Sequence, residues 1–384
     1  METLQVIVEC GSDASKEEKI TALGTVKYKL PMINSYVLEI PESSVRKLED
    51  ISTIKSIYQT TNITAQMFTE RESINAAYAY RQGLTGRGIT IAILDTGVAS
   101  VADLTLPNNR ILAFKDIVNG KSTPYDDNGH GTHVAGIAGG NGLRSNGKYM
   151  GIAPECNIVA VKVLDKYGRG NSADALAGIQ WVLDNKEKYN IRIANLSVGT
   201  PESNNKDPLV RAVEILWDNG IVVNVAAGNN GPKPSTITSP GISRKIITVG
   251  AVDDHKEVHI WGNNLVNFSG RGPTSECIIK PDIVAPGSNI VSCLTPTPIK
   301  SEQSDTEIKV IQKHYMELSG TSMATPIVSG AIALLLQKHP DLKPDDVKYM
   351  LKESCLKLEY SQNHQGWGLI DVKKLISKEA YHVR

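Results

Sequence analysis

The chain has 384 residues, with 41 Lys and Arg against 41 Asp and Glu, so its formal net charge is zero. That balance argues against a broad basic surface for nucleic acid and against a polyanionic solvating chain. A hydrophobic content of 41% argues against wholesale disorder, and the length suggests two or three domains with room for a large core. The five cysteines are Cys10, Cys156, Cys277, Cys293 and Cys355, an odd number without a C-x-x-C pair. A disulfide framework is therefore not expected, and a reducing compartment is. The chain opens on no basic segment followed by an apolar stretch, and the apolar run at 330–336 is too short to span a bilayer. These features predict a cytoplasmic protein with neither a nucleic-acid nor a membrane partner.

Residues 1–65 read as a unit of their own. Residues 4–9 alternate as a strand, and 15–23 are helix-like, with Ser15 as N-cap and Glu18 three residues on. Two strands follow at 25–30 and 35–40, then a short helix at 42–50 and a strand at 53–58. This β-α-β-β-α-β order predicts a small ferredoxin-like α+β sandwich. A polar stretch at 59–64 is suited to a linker. Residues 66–384 form the second unit. Strands are predicted at 89–94, 158–164, 192–196, 221–226 and 246–249, and helices at 132–139, 172–185, 208–219, 322–338 and 343–353. Near-continuous Val and Ile runs separated by helices predict an α/β fold, a parallel sheet with helices on both faces. The Pro-, Ser-, Lys- and Glu-rich stretch 295–317 reads as a long exposed loop.

Three segments place a reactive side chain at a strand end or a helix start. In Ile91-Ala-Ile-Leu-Asp95-Thr-Gly97 an apolar strand runs into an acid and a turn glycine. In Asp126-Asp-Asn-Gly-His130-Gly-Thr-His133-Val-Ala-Gly136, His130 stands at the mouth of a helix of small residues. In Gly320-Thr-Ser322-Met-Ala-Thr-Pro326, Ser322 opens an apolar helix. Each has a plain alternative: a turn-capping Asp, a core His, an N-terminal helix Ser. Together they supply an acid, a base and a nucleophile.

The order Asp, His, Ser is that of the subtilisins. Over roughly residues 67–376 the sequence resembles the subtilisin-like serine proteases (subtilases), and most resembles the signal-less intracellular subtilases of spore-forming bacteria. Val225-Ala-Ala-Gly-Asn229-Asn-Gly231 matches the segment that donates an oxyanion-hole amide. Asn195-Leu-Ser197-Val-Gly199 and the segment 164–170 are similar to the two strands that clamp substrate. Phe268-Ser-Gly-Arg-Gly272-Pro273, Lys280-Pro-Asp-Ile-Val-Ala-Pro-Gly287 and Gly366-Trp-Gly-Leu-Ile-Asp371 match scaffold motifs.

The resemblance implies a serine endopeptidase acting through an acyl-enzyme. Ser322 would be the nucleophile, His130 the general base and then acid, Asp95 its orienting partner, and Asn229 the oxyanion amide. His133 falls on a motif position that is not catalytic. An extended peptide would pair as a strand with Ser197, Val198 and Gly199 on one side and Gly168, Arg169 and Gly170 on the other. Thr238 matches a position at the base of the primary pocket, where better-known subtilisins carry glycine, and would disfavour the largest P1 side chains. Residues 1–65 resemble the family's inhibitory propeptide, an intramolecular partner removed by self-processing near residues 60–66. The other reading is a catalytically silent regulatory pseudoprotease on the same fold.

No cofactor is required for this chemistry. Structural calcium is carried as an option, because Asp103 matches one ligand position of the site in secreted subtilisins, whereas 139–150 lacks an evident ligand set. Two further patterns are set aside. His255 and His259 are spaced i, i+4, which suits zinc on a helix, but their surroundings read as loop, so no metal ligand is assigned. The segment 142–148 nearly matches a phosphate-binding loop but continues with Tyr149 where Ser or Thr is needed. No G-x-S-x-G surrounds any serine, which disfavours an esterase of the α/β-hydrolase type.

Overall fold

The structure, a computed structural model, describes residues 3–11, 20–31, 34–59, 70–200, 207–260, 263–296 and 309–383. The chain divides into two compact units, Met1–Met67 and Phe68–Arg384.

In the first unit β1 (Thr3–Cys10), β2 (Thr25–Leu30), β3 (Ser35–Pro41) and β4 (Ile54–Gln59) form a sheet of order β2-β3-β1-β4, with antiparallel neighbours. This is the strand order of a ferredoxin-like sandwich. The period-2 pattern of β1 turns Val6, Val8 and Cys10 inward, where they meet Leu38, Ile40, Ile20 and Leu48. The helix predicted at 42–50 is a 3₁₀ turn, Glu42–Ser44, followed by one α-turn, Val45–Glu49, which buries Leu48. Most of the helix predicted at 15–23, the linker and the processing segment lie outside the described residues.

The second unit is built on a seven-stranded sheet of β5 (Thr90–Asp95), β6 (Ile111–Asp116), β7 (Asn157–Lys162), β8 (Ile191–Leu196), β9 (Val222–Ala226), β10 (Ile247–Ala251) and, after a hairpin of β11 (Val258–Ile260) and β12 (Asn263–Leu265), β13 (Ile283–Ala285). Its order is β13-β10-β9-β8-β5-β7-β6 and every pairing is parallel. All six residues of β5 and all five of β9 are buried, as strands covered on both faces require. After β5 the chain builds one side of the sheet, and from β8 it builds the other. The order therefore reverses between β5 and β8, and ligands in open α/β sheets bind beyond the carboxyl ends at such a switch point.

The helix Thr321–Lys338 packs on β8, β9, β10 and β13 and against the helix His130–Gly139. It is buried along most of its length because neighbours enclose it, and Leu334, Leu335 and Leu336 are wholly buried. Each contributes about 1.5–3 kcal/mol by leaving water.

The stretch 295–317 is not all exposed loop. Within it Val310–Ile311 (β15) and Tyr315–Leu318 (β16) join β14 (Ile290–Cys293) in an antiparallel sheet, and Tyr315 and Met316 are fully buried. Polar composition over the whole stretch masked a short strand whose pairing partner lies more than twenty residues earlier. Residues 297–308 lie outside the described set. Among the described residues no helix is long and apolar enough to cross a membrane.

Candidate active site

Asp95 ends β5, and Ser197 follows the end of the neighbouring strand β8, whose Leu196 pairs with Leu94. The switch point thus places both at one edge. Asp95 is fully buried, and its Oδ1 accepts hydrogen bonds from the Thr96 amide (2.7 Å) and from His130 Nδ1 (2.8 Å). This fixes the His130 tautomer, leaving Nε2 for chemistry. Burial pulls the His130 pKa down, but the charge and hydrogen bond of Asp95, helped by Asp126, outweigh it and hold the group above 6.5.

His130 is placed by Asp126, which the sequence reading left without a role. This buried carboxylate accepts from Thr96 Oγ1 (2.9 Å), from the amides of Asn128 (3.1 Å) and Gly129 (2.8 Å), and from Thr132 N (2.9 Å) and Oγ1 (2.6 Å). It caps the amides at the start of the helix and ties them to the turn after Asp95. Gly131 must be glycine: a Cβ there would stand 2.1 Å from the Gly97 carbonyl oxygen. The spacing D-x-x-G-H carried this signal.

Ser322 occupies the first turn of the helix Thr321–Lys338. Pro326 sits four residues on, so the Ser322 carbonyl has no helical N–H to receive. Ser197 Oγ fills the gap, donating to that carbonyl at 3.1 Å, while Ser322 Oγ donates to the Ser197 carbonyl at 3.3 Å. Behind Ser197 lies a buried polar chain: Asn195 Nδ2 donates to Ser197 Oγ, Ser329 Oγ to Asn195 Oδ1, and Asn224 Nδ2 to Ser329 Oγ. The helix carrying Ser322 is thereby pinned to β8 and β9.

Asn229 also meets this helix start. Its Oδ1 accepts from Thr321 N (2.9 Å) and Thr321 Oγ1 (3.0 Å), while its Nδ2 makes no hydrogen bond among the described residues. An amide held by its oxygen keeps its two N–H donors available.

Thr238 is buried between the Ser197–Gly199 segment and the one ending at Gly228. A Cβ on Gly199 would lie 2.6 Å from Thr238 Oγ1, and one on Gly228 2.7 Å from Thr238 Cγ2. The Thr238 amide donates to the Ala227 carbonyl at 3.1 Å. A tight turn from Asp165 to Gly168 precedes Arg169 and Gly170; the Asp165 amide donates to the Arg169 carbonyl (2.7 Å) and its carboxylate receives the Arg169 amide (2.9 Å).

A family model described as the subtilase family matches residues 86–368. The chain belongs to the subtilase family. Serine protease AprX of Bacillus subtilis (strain 168) is 42% identical over 364 residues, which cover 91% of this chain and 81% of that protein. Subtilisin BL of Lederbergia lenta is 34% identical over 300 residues, 78% of this chain and 95% of the relative. The crystal structure of a cold-adapted subtilisin-like serine proteinase matches with a TM-score of 0.57 at 29% identity, over 75% of this chain and 90% of that one. As a subtilase the chain is a serine endopeptidase.

Calcium sites of secreted subtilases prompt a test at Asp103. In this subtilase the Asp103 carboxylate receives the Tyr315 hydroxyl (2.7 Å) and the Arg144 amide (3.1 Å). The buried Arg110 guanidinium takes the carbonyls of Asp103, Gly139 and Cys156. Oxygens that would ligate a hard cation are already held by N–H and O–H donors, so these residues do not fit calcium. Among the described residues no group of three or more His, Cys, Asp or Glu side chains is placed to hold a metal. His255 and His259 are not on a helix: His259 lies on β11 beside Asn264, and His255 beside Asn267.

His133, three residues beyond His130, is fully buried. Its Nε2 lies 3.1 Å from both the Ile290 and Met316 carbonyls, which makes it the protonated nitrogen of a neutral ring. Burial, with the neighbouring His130 charge, drives its pKa down to about 3. Burial pushes the Cys156 thiol up to about 12, so it stays protonated.

Proposed function

We propose that this subtilase cleaves extended polypeptides with Asp95, His130 and Ser322 as its triad and Asn229 as oxyanion donor. The observation that carries the reading is the 2.8 Å contact between His130 Nδ1 and buried Asp95, at the same sheet edge as Ser322. His130 Nε2 takes the Ser322 proton as the hydroxyl attacks the scissile carbonyl, then returns it to the leaving amine. Asp95 stabilises the imidazolium without taking the proton. The oxyanion is met by the free Nδ2 of Asn229 and by the Ser322 amide at the helix start, where the orphan N–H groups favour negative charge. Water then releases the acyl group by the same proton path.

Substrate pairs as a strand between Ser197–Gly199 and Gly168-Arg169-Gly170, and Thr238 shortens the primary pocket, disfavouring the largest aromatic P1 side chains. The ferredoxin-like sheet order of the first unit supports its reading as an inhibitory propeptide, cut near residues 60–66 by the enzyme itself. An odd number of cysteines without a C-x-x-C pair suits a reducing compartment, and action inside the cell is part of the proposal. The intact set of four site residues favours an active enzyme over a regulatory pseudoprotease.

Mass spectrometry of wild type and Ser322→Ala after incubation with a denatured protein tests this. Wild type should lose its first 60–66 residues and produce peptides, and Ser322→Ala should do neither. A wild type that stays full length, cuts nothing and is not labelled at Ser322 by a sulfonyl fluoride would favour the pseudoprotease.

A further inference from the structure

Among the described residues of the second unit two lysines are wholly buried, Lys162 and Lys280. Lys280 is held by Asp282, Thr248 and the Ile246 carbonyl, around the amino end of β10. Lys162 stands instead at the carboxyl end of β7, beside β5 and the residues of the proposed triad.

The Lys162 ammonium has three donors, and each goes to a different segment. One reaches the Thr96 carbonyl at 2.6 Å, immediately after Asp95. One reaches the Leu164 carbonyl at 2.7 Å, where the chain sets out toward Gly168-Arg169-Gly170. The third reaches Asp127 Oδ1 at 2.7 Å, in the loop ahead of His130. Neighbouring bonds run the same way: the amides of Val163 and Leu164 donate to the Asp95 carbonyl at 2.9 and 3.2 Å, and Asn128 Nδ2 donates to the Lys166 carbonyl at 3.1 Å.

Stability is a weak reason for such a group. The Lys162 side chain is 0% exposed while its carboxylate partner is 34% exposed, so a buried cation is matched by a half-solvated anion. An apolar side chain there would escape that desolvation. What an ammonium adds is geometry, a node joining three segments that have to be in register.

We propose that Lys162 is a positioning residue that holds the peptide-binding segment 164–170 at a set distance from the Asp95–His130 pair. The inference rests on the strand-pairing reading above. Its mark is dependence on substrate length. A peptide spanning P4 to P1 uses both the segment and the triad, whereas a single-residue ester uses the triad and hardly touches the segment.

The test uses the enzyme purified after expression of the full chain, with Lys162→Met, Lys162→Arg and Asp127→Asn. Each is assayed on a tetrapeptide anilide and on a one-residue ester, with melting temperature recorded and active sites counted by sulfonyl fluoride labelling. In Lys162→Met, kcat/KM for the tetrapeptide should fall at least tenfold more than for the ester, chiefly through KM, on the scale of about 10²-fold for a misplacement near 1 Å. Lys162→Arg should recover part of that ratio, and Asp127→Asn should show a smaller loss of the same sign. Equal losses on both substrates, or none, would overturn the proposal. Should Lys162→Met not fold, the Asp127→Asn ratio decides in the same terms. An unlabelled wild type would instead overturn the triad reading, so the two failures are separable.

Discussion

Ser197 and Ser322 exchange hydrogen bonds: the Ser197 hydroxyl donates to the Ser322 carbonyl at 3.1 Å, and the Ser322 hydroxyl to the Ser197 carbonyl at 3.3 Å. The first exists because Pro326 withholds the helical amide that the Ser322 carbonyl would otherwise receive. The second ties the proposed nucleophile to the proposed substrate strand before substrate arrives. A peptide pairing with that strand would compete for the same carbonyl and free the hydroxyl for His130.

Removing the Ser197 hydroxyl should therefore unseat the helix start. Ser197→Ala is expected to cost about 1–2 kcal/mol of stability, the price of an orphaned carbonyl, and to lower kcat. Pro326→Ala supplies an amide to the same carbonyl, so the double variant should lose less than the sum of the singles. Urea denaturation of the four proteins, all in a Ser322→Ala background, measures the coupling, with kcat compared separately in the active enzymes.

The pH dependence follows from the raised His130 pKa. The general base must be neutral, so kcat/KM should rise with pH through a value above 6.5. Asp95→Asn removes the charge that sustains the shift. The acid limb should move down, while kcat falls by about 10⁴-fold. Initial rates on a peptide anilide between pH 5 and 10 report both.

His133 makes the opposite contribution, to stability. Its folded pKa of about 3 lies below the unfolded 6.5, so its stabilisation is complete above pH 6.5 and drains away as pH falls toward 3. The total is on the order of a few kcal/mol. In a Ser322→Ala background, His133→Gln should be less stable at pH 7 yet lose less between pH 7 and 4. Chemical denaturation at those two pH values gives the comparison.

The Arg110 guanidinium satisfies the buried carbonyls of Asp103, Gly139 and Cys156. Chelator should leave the melting temperature of Ser322→Ala unchanged if no other site matters, whereas Arg110→Met should lower stability by about 3 kcal/mol or more, because three buried carbonyls lose their donor. Differential scanning calorimetry with and without EDTA tests both. A large chelator effect would place calcium elsewhere in the chain.

Thr238 offers a test of specificity. Thr238→Gly removes the side chain packed between Gly199 and Gly228 and should deepen the pocket. The ratio of Phe or Tyr to Ala at P1 should rise by about tenfold or more, on the scale that a few methyl-sized groups carry in an apolar pocket. A P1 scan in matched peptides reads it.

Much of this was legible without coordinates, for local reasons. β5, β7, β8 and β9 are near-continuous apolar runs, and the helices Ser172–Asp184 and Pro208–Asp218 begin behind Asn171 and Asp207, whose side chains cap them. Strands without such signals were missed. β6 is an edge strand, half-exposed, and β13 has only three residues. β16 hides in a polar stretch and owes its burial to pairing with β14.

The sequence by itself determined the kinds of group available: an acid after a strand, a histidine at a helix mouth, a serine at a helix start and a separate N-terminal unit. Its zero net charge argued against a nucleic-acid surface but named no partner. Only the tertiary structure decided how these groups are held. Asp126 holds the turn before His130, Ser197 answers a carbonyl that Pro326 leaves bare, and Lys162 joins three segments, one of them 66 residues before it. The physical reason is that a hydrogen bond between distant segments leaves no periodic trace in the chain, since either partner alone looks like any other polar residue. A buried donor or acceptor must nonetheless find its match, and the fold records where it did.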